Sequence, residues 1–209
     1  MVFVAVDDTG RTPLWLASLN GRTAPGRLTT VDSGTAFFGA PGEVVFGSQE
    51  TTMFVYRIKE DGSELQKLLP TPMLIPFGVS PDGRWIPAQT PNQFGDSTAY
   101  PAGSSSPTRI CGDCSQPQGT EFIPPPVSWT PDGKFVYLKF ASSIYAIPLQ
   151  PGQMLPPIPA KGFPSKEAVA ALPGARLVSE ESVFPGPNPS IYAFTKVTTQ
   201  RNIYRVPVP

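Results

Sequence analysis

Short apolar runs punctuated by turn residues fill most of this chain, and no long stretch keeps helical spacing. Residues 2–6, 13–19, 35–38, 44–47, 53–58 and 65–69 are such runs. Between them stand Asp7-Asp8-Thr9-Gly10, Asn20-Gly21, Pro41-Gly42 and Glu60-Asp61-Gly62. Runs of this length, bounded by Gly, Pro, Asn and Asp, predict β-strands joined by tight turns. The clearest turn occurs twice, as Ser80-Pro81-Asp82-Gly83 before Trp85-Ile86 and as Thr130-Pro131-Asp132-Gly133 before Phe135-Val136. Proline presets φ, aspartate caps the backbone and glycine accepts the left-handed conformation, so each copy predicts a hairpin.

Two markers give the spacing of a repeat. The turn recurs at Gly42, Gly83 and Gly133, and in degenerate form at Pro187-Asn188-Pro189. An aromatic recurs on a later strand at Trp15, Tyr56, Tyr100, Tyr145 and Tyr204. From turn to aromatic the gaps are 14, 17, 12 and 15 residues, which indicates a common unit. Four short strands in about 40–45 residues is the size of a propeller blade, which hides its faces only by stacking on neighbours. The aromatics are expected between blades. The predicted fold is therefore all-β: a β-propeller of about five four-stranded units, the first lacking its opening strand and the last its closing one. The units run roughly over 1–30, 31–72, 73–118, 119–160 and 175–209, with 161–174 as a Pro-rich connection. Ser165 before an alanine-rich run predicts a two-turn capped helix near that connection. Pairing of residues 2–6 with the terminal unit would close the ring; otherwise the chain forms an open arc or is completed by another copy.

Composition agrees with this reading. Of 209 residues 28 are proline, more than double the usual share of about 5%, and interior helical proline is too costly for a mainly helical chain. Sixteen basic residues balance sixteen acidic ones, so no net field favours nucleic acid or anionic lipid. No run reaches the length of a membrane span. The first residues show no signal peptide and read as a strand entered at once, as in a piece of a longer protein.

The Pro-Asp-Gly phrases, followed by a basic residue and an apolar strand, with Ile144-Tyr145 and Ile203-Tyr204 further on, resemble the TolB-type, WD40-like (PD40) propeller repeats of bacteria. The resemblance is strongest over residues 75–150. The ending from Gln200 to Pro207 is similar to propeller segments that follow a membrane-anchored kinase in some bacteria. No kinase element is present. The resemblance implies an extracytoplasmic, periplasmic module that binds or senses a protein or small molecule, without catalysis or cofactor of its own.

Candidate chemistry is sparse. There is no histidine, which excludes Ser–His–Asp and Cys–His nucleophilic systems. Cys111-Gly112-Asp113-Cys114 reads as a disulfide or thiol loop staple, as half of a zinc site shared between two copies, or as a redox pair. The redox reading lacks the helix that lowers a thiol pKa. Asp82 and Asp132 read as turn caps. Trp85 and Trp129, with Trp15, read as packing between blades or as an aromatic ligand platform. The alternative function, a five-bladed glycoside hydrolase, would draw on Glu180 or Glu181 facing the axis; Asp7-Asp8 and Glu180-Glu181 are adjacent, so on strands they point to opposite faces.

Overall fold

The computed structural model describes residues 1–49, 52–89, 95–104, 106–112, 114, 125–180 and 183–194. Its strands form five antiparallel sheets taken in chain order. Sheet 1 contains β1 (Val2–Val4), β2 (Leu14–Leu16) and β3 (Gly26–Arg27). Sheet 2 contains β4 (Ser33–Phe38), β5 (Glu43–Ser48), β6 (Val55–Lys59) and β7 (Gln66–Lys67). Sheet 3 contains β8 (Ile75–Pro76), β9 (Trp85–Gln89), β10 (Ser97–Pro101) and β11 (Thr108–Cys111). Sheet 4 contains β12 (Val127–Trp129), β13 (Phe135–Phe140), β14 (Ser143–Pro148) and β15 (Arg176–Ser179). Sheet 5 contributes β16 (Phe184–Pro185) and β17 (Tyr192–Ala193) among the described residues.

The core is a series of seams between successive sheets. Val44 and Phe46 on β5 face Leu14 of sheet 1, whereas Val45 between them joins Ile86, Ala88 and Tyr100 of sheet 3. Successive strand residues point to opposite faces, so a strand covered on both sides must be apolar at every position. The run Val44-Val45-Phe46 is that pattern. β13 repeats it: Val136 and Leu138 pack toward sheet 3, while Tyr137 packs toward Val183 beside sheet 5. Each fully buried side chain of this size contributes about 1.5–3 kcal/mol. Stacking face to face is thus what stabilises sheets 1 to 4.

The recurring aromatics occupy these seams. Tyr56 lies against the sheet 1–2 seam, Tyr100 in the sheet 2–3 seam and Tyr145 in the sheet 3–4 seam. In sheets 2, 3 and 4 they stand on the third strand, and Trp15 stands on β2. By that match β1 corresponds to a second strand, and among the described residues sheet 1 has no opening strand. Tyr204 lies outside the described residues, as do residues 202–206.

Two expectations need correction. Sheet 4 does not close within 119–160: its fourth strand is β15, which pairs with β14 at Tyr145↔Leu177 and Ala146↔Arg176. The Pro-rich connection is thus an insertion between third and fourth strands rather than a link between units. The insertion turns at Gly152 and Gly162, both at left-handed φ, before α1. The expected helix is short, α1 (Lys166–Ala170), with the Ser165 hydroxyl accepting from Ala168 N–H at 3.4 Å. Pro164 precedes the cap and Pro173 follows, which limits the helix at both ends. Among the described residues β1 pairs only with β2 and otherwise lies beside β4.

Candidate functional site at the ring of turns

In sheets 2, 3 and 4 the chain enters on the first strand and reverses into the second through the turn marked by Gly42, Gly83 or Gly133. The two Pro-Asp-Gly turns share one bonding scheme. Ser80 Oγ donates to Asp82 Oδ1 at 2.5 Å and accepts from Trp85 N–H at 2.9 Å. Thr130 Oγ1 donates to Asp132 Oδ1 at 2.6 Å and accepts from Phe135 N–H at 3.1 Å. Each aspartate also accepts the N–H of the following basic residue, Arg84 or Lys134, at 3.1 Å. Gly83 and Gly133 sit at φ +72° and +66°, the left-handed region that a Cβ disfavours. Pro81 and Pro131 precede the aspartates in each turn.

These bonds set the charge of the turns. The Thr130 hydroxyl and the Lys134 backbone and side chain hold the Asp132 carboxyl down to about 2. Partial burial pushes Asp82 up, but hydrogen bonds from Ser80 and Arg84 outweigh it and leave its pKa lowered. Both aspartates remain anionic at neutral pH and their oxygens are engaged locally. They act as turn caps.

The turns come together around a cavity of about 550 Å³. Sheet 2 supplies Phe37, Phe38 and Pro41; sheet 3 supplies Phe77, Val79 and Pro81; sheet 4 supplies Val127, Trp129 and Pro131. Among the described residues no ionisable side chain lines it. Its volume falls in the usual range for ligand sites, about 300–1,000 Å³. Phe38 is 50% exposed, which for a large aromatic marks the rim of an open site. A Cβ on Gly83 would lie 3.4 Å from Ala40 Cβ, so the sheet 3 turn rests directly on the sheet 2 turn. The Trp129 indole N–H donates to Met154 C=O at 2.6 Å, which fixes the ring at the cavity wall.

Of the tryptophans, Trp129 alone lines this cavity. Trp85 and Trp129 both pack against the sheet 3–4 core, whereas Trp15 lies in sheet 1. The three do not form a single platform. Sequence reasoning passed over Phe37, Phe38 and Phe77. A usable signal existed: the residue four places before the turn glycine is Phe38, Val79 or Trp129, and all three line the cavity.

Cys111 and Cys114 are joined as a disulfide, with Cα atoms 5.8 Å apart. Cys111 is the last residue of β11 and does not open a helix. Among the described residues no three His, Cys, Asp or Glu side chains converge as metal ligands. Glu180 is exposed and follows β15, the outermost strand of sheet 4, rather than an inner strand facing the axis. Glu181 lies outside the described residues. Asp7 accepts from Thr9 N–H, Thr9 Oγ and Arg11 N–H and is a turn cap.

Antiparallel sheets stacked face to face in chain order, with the first strands of sheets 2, 3 and 4 and the turns after them lining one cavity, define a β-propeller. No protein-family model and no curated protein matches the chain. Among solved structures, TolB from Acinetobacter baumannii aligns with a TM-score of 0.51 at 14% identity, over 77% of this chain and 42% of that one. A putative TolB from Agrobacterium tumefaciens aligns at 0.47 and 14% identity, over 73% of this chain and 52% of that one. A nidogen/laminin complex aligns at 0.48 and 13% identity, over 88% of this chain and 62% of that one. The fold is a TolB-like β-propeller, and this chain spans about half the length of the TolB chains it matches. Among the described residues no helix is long and apolar enough to cross a membrane.

Proposed function

We propose that the chain is a non-catalytic interaction module that receives an uncharged, apolar segment of a partner protein at the ring of turns. The carrying observation is the cavity itself, walled by phenylalanines, Trp129 and prolines, with no ionisable side chain among the described residues that line it. A charged occupant would lose its hydration there without gaining a countercharge. Apolar side chains would be desolvated against aromatic walls, the arrangement typical of binding hot spots. Hydrolysis finds no support at this place, because among the described residues neither a carboxylate nor another general acid lines it.

The similarity to TolB supports an extracytoplasmic setting as part of a larger protein, and the disulfide favours an oxidising compartment. Self-association through the incomplete end sheets belongs to the same reading, and light scattering on purified protein would detect it.

The test uses a phage-displayed library of random nine-residue peptides, selected on the whole chain. Selected peptides should be apolar, and Phe38→Asp should weaken them by about tenfold or more. Phe38 is half exposed, so this change leaves the core intact. Peptides that bind Phe38→Asp and Trp129→Ala proteins as tightly as the original would refute the assignment of the cavity.

A further inference from the structure

We infer that the Cys111–Cys114 disulfide is a redox-sensitive clasp that couples sheet 3 to sheet 4. The inference is independent of the reading of the cavity. It stands on where the loop is tied. Cys114 C=O accepts the N–H of Ala141 at 2.9 Å. Ala141 turns β13 into β14 at φ +52°, a conformation that a non-glycine residue holds only under constraint. At the other end of the loop Ile110 C=O accepts Phe163 N–H at 2.7 Å, and Cys111 bridges Phe163 in parallel. Gly162 backs onto this bond so closely that a Cβ would lie 2.8 Å from Ile110 O.

The short cystine loop therefore touches sheet 4 twice, at a strained hairpin turn and at the insertion that leads to β15. Cys111, Cys114, Ile110 and Phe163 share one core with Val136 and Leu138 of β13. Joining residues 111 and 114 holds the Cys114 carbonyl under Ala141 while β11 keeps Phe163. With the bond cut, only core packing and the Ala141 hydrogen bond remain to set that spacing.

The chemistry is a two-electron exchange with a dithiol. One thiolate attacks a cystine sulfur and forms a mixed disulfide; the second thiol resolves it. The protein gains two thiols as the dithiol becomes a cyclic disulfide. Cys111 is 2% exposed and Cys114 0%, so an external thiolate reaches a sulfur only when the seam opens. That burial suits a clasp and opposes a catalytic redox role, which needs an accessible thiolate.

The test is amide hydrogen exchange on the whole chain, oxidised and after reduction with dithiothreitol, with thiols counted by mass. Reduction should speed exchange at Ala141 and Phe163 by about tenfold or more, while amides of the β5–β6 hairpin stay unchanged. The double variant Cys111→Ser/Cys114→Ser should show the same local pattern without reductant. Unchanged exchange at Ala141 and Phe163 in the reduced protein would overturn the inference. Equal acceleration throughout sheet 2 would also overturn it, since the bond would then be a staple of the whole domain.

Discussion

Sheets 2 and 4 have the same strand order but complete it by different routes. In sheet 2 the chain passes from β6 to β7 through a tight turn at Asp61-Gly62, where Asp61 accepts from Ser63 N–H and Ser63 Oγ. In sheet 4 it leaves β14, crosses to the outer strand of sheet 3, forms α1 and only then returns as β15. The first route is closed by bonds between residues two apart. The second has no such local closure and depends on contacts with another sheet. Sheet 2 is thus encoded by its turn, and sheet 4 by its neighbour.

The largest effect that separates the two is expected at Phe163, which lies outside every strand but is 3% exposed in the sheet 3–4 core. Phe163→Ala should cost about 3–5 kcal/mol in denaturant unfolding. A cost under about 0.5 kcal/mol, the level of an ordinary surface change, would make the insertion a passive loop and erase the contrast.

Glycines in the two routes sharpen it. Gly162 and Gly62 share a left-handed φ, +80° and +84°, but a Cβ on Gly162 would meet Ile110 O at 2.8 Å, and one on Gly62 would meet Leu28 O at 3.1 Å. Alanine at either position should destabilise, by about 1–3 kcal/mol, and Gly162→Ala should be the worse of the two. Thermal unfolding of both variants measures the order directly.

The reverse change should help. Glu64 follows the sheet 2 turn at φ +54° and Ala141 lies in the β13–β14 turn at +52°. Replacing either with glycine removes left-handed strain and should stabilise by up to about 1 kcal/mol, less the added freedom of the unfolded chain. Ala141→Gly should gain less if the Cys114 carbonyl already holds that turn.

The smallest effects are electrostatic. Ser63 hydrogen bonds lower Asp61, and Thr130 and Lys134 lower Asp132 to about 2. A carboxyl whose folded pKa lies below its unfolded value stabilises the fold above the unfolded value, near 3.9. That contribution is lost as pH falls through the folded pKa, so for Asp132 the window runs from about 4 down to about 2. Urea unfolding between pH 5 and 2 should flatten in Asp132→Asn. Asp61→Asn should do the same if the short turn contributes through its charge.

Much of this architecture could be read from residues close in the chain. Pro81-Asp82-Gly83 and Pro131-Asp132-Gly133 announce their hairpins because every bond in them joins residues at most five apart. The recurring tyrosines located the blade seams because a ring on a strand buried on both faces must meet the next sheet. The partner of β14 was not legible: Leu177 lies 32 residues beyond Tyr145, and the intervening prolines read as a link between units. The cavity was only half legible. Trp129 drew notice as a tryptophan, whereas Phe38, at the equivalent place, read simply as the end of a strand.

The chain's own order of residues determined its all-β character, its turns and the size of its repeating sheet, since these follow from φ preferences and side-chain alternation over a few residues. Tertiary structure alone decided which strand completes sheet 4, where the cystine loop is tied and which aromatics share a cavity. Those outcomes depend on packing one sheet's face against the next, and no local preference encodes that meeting.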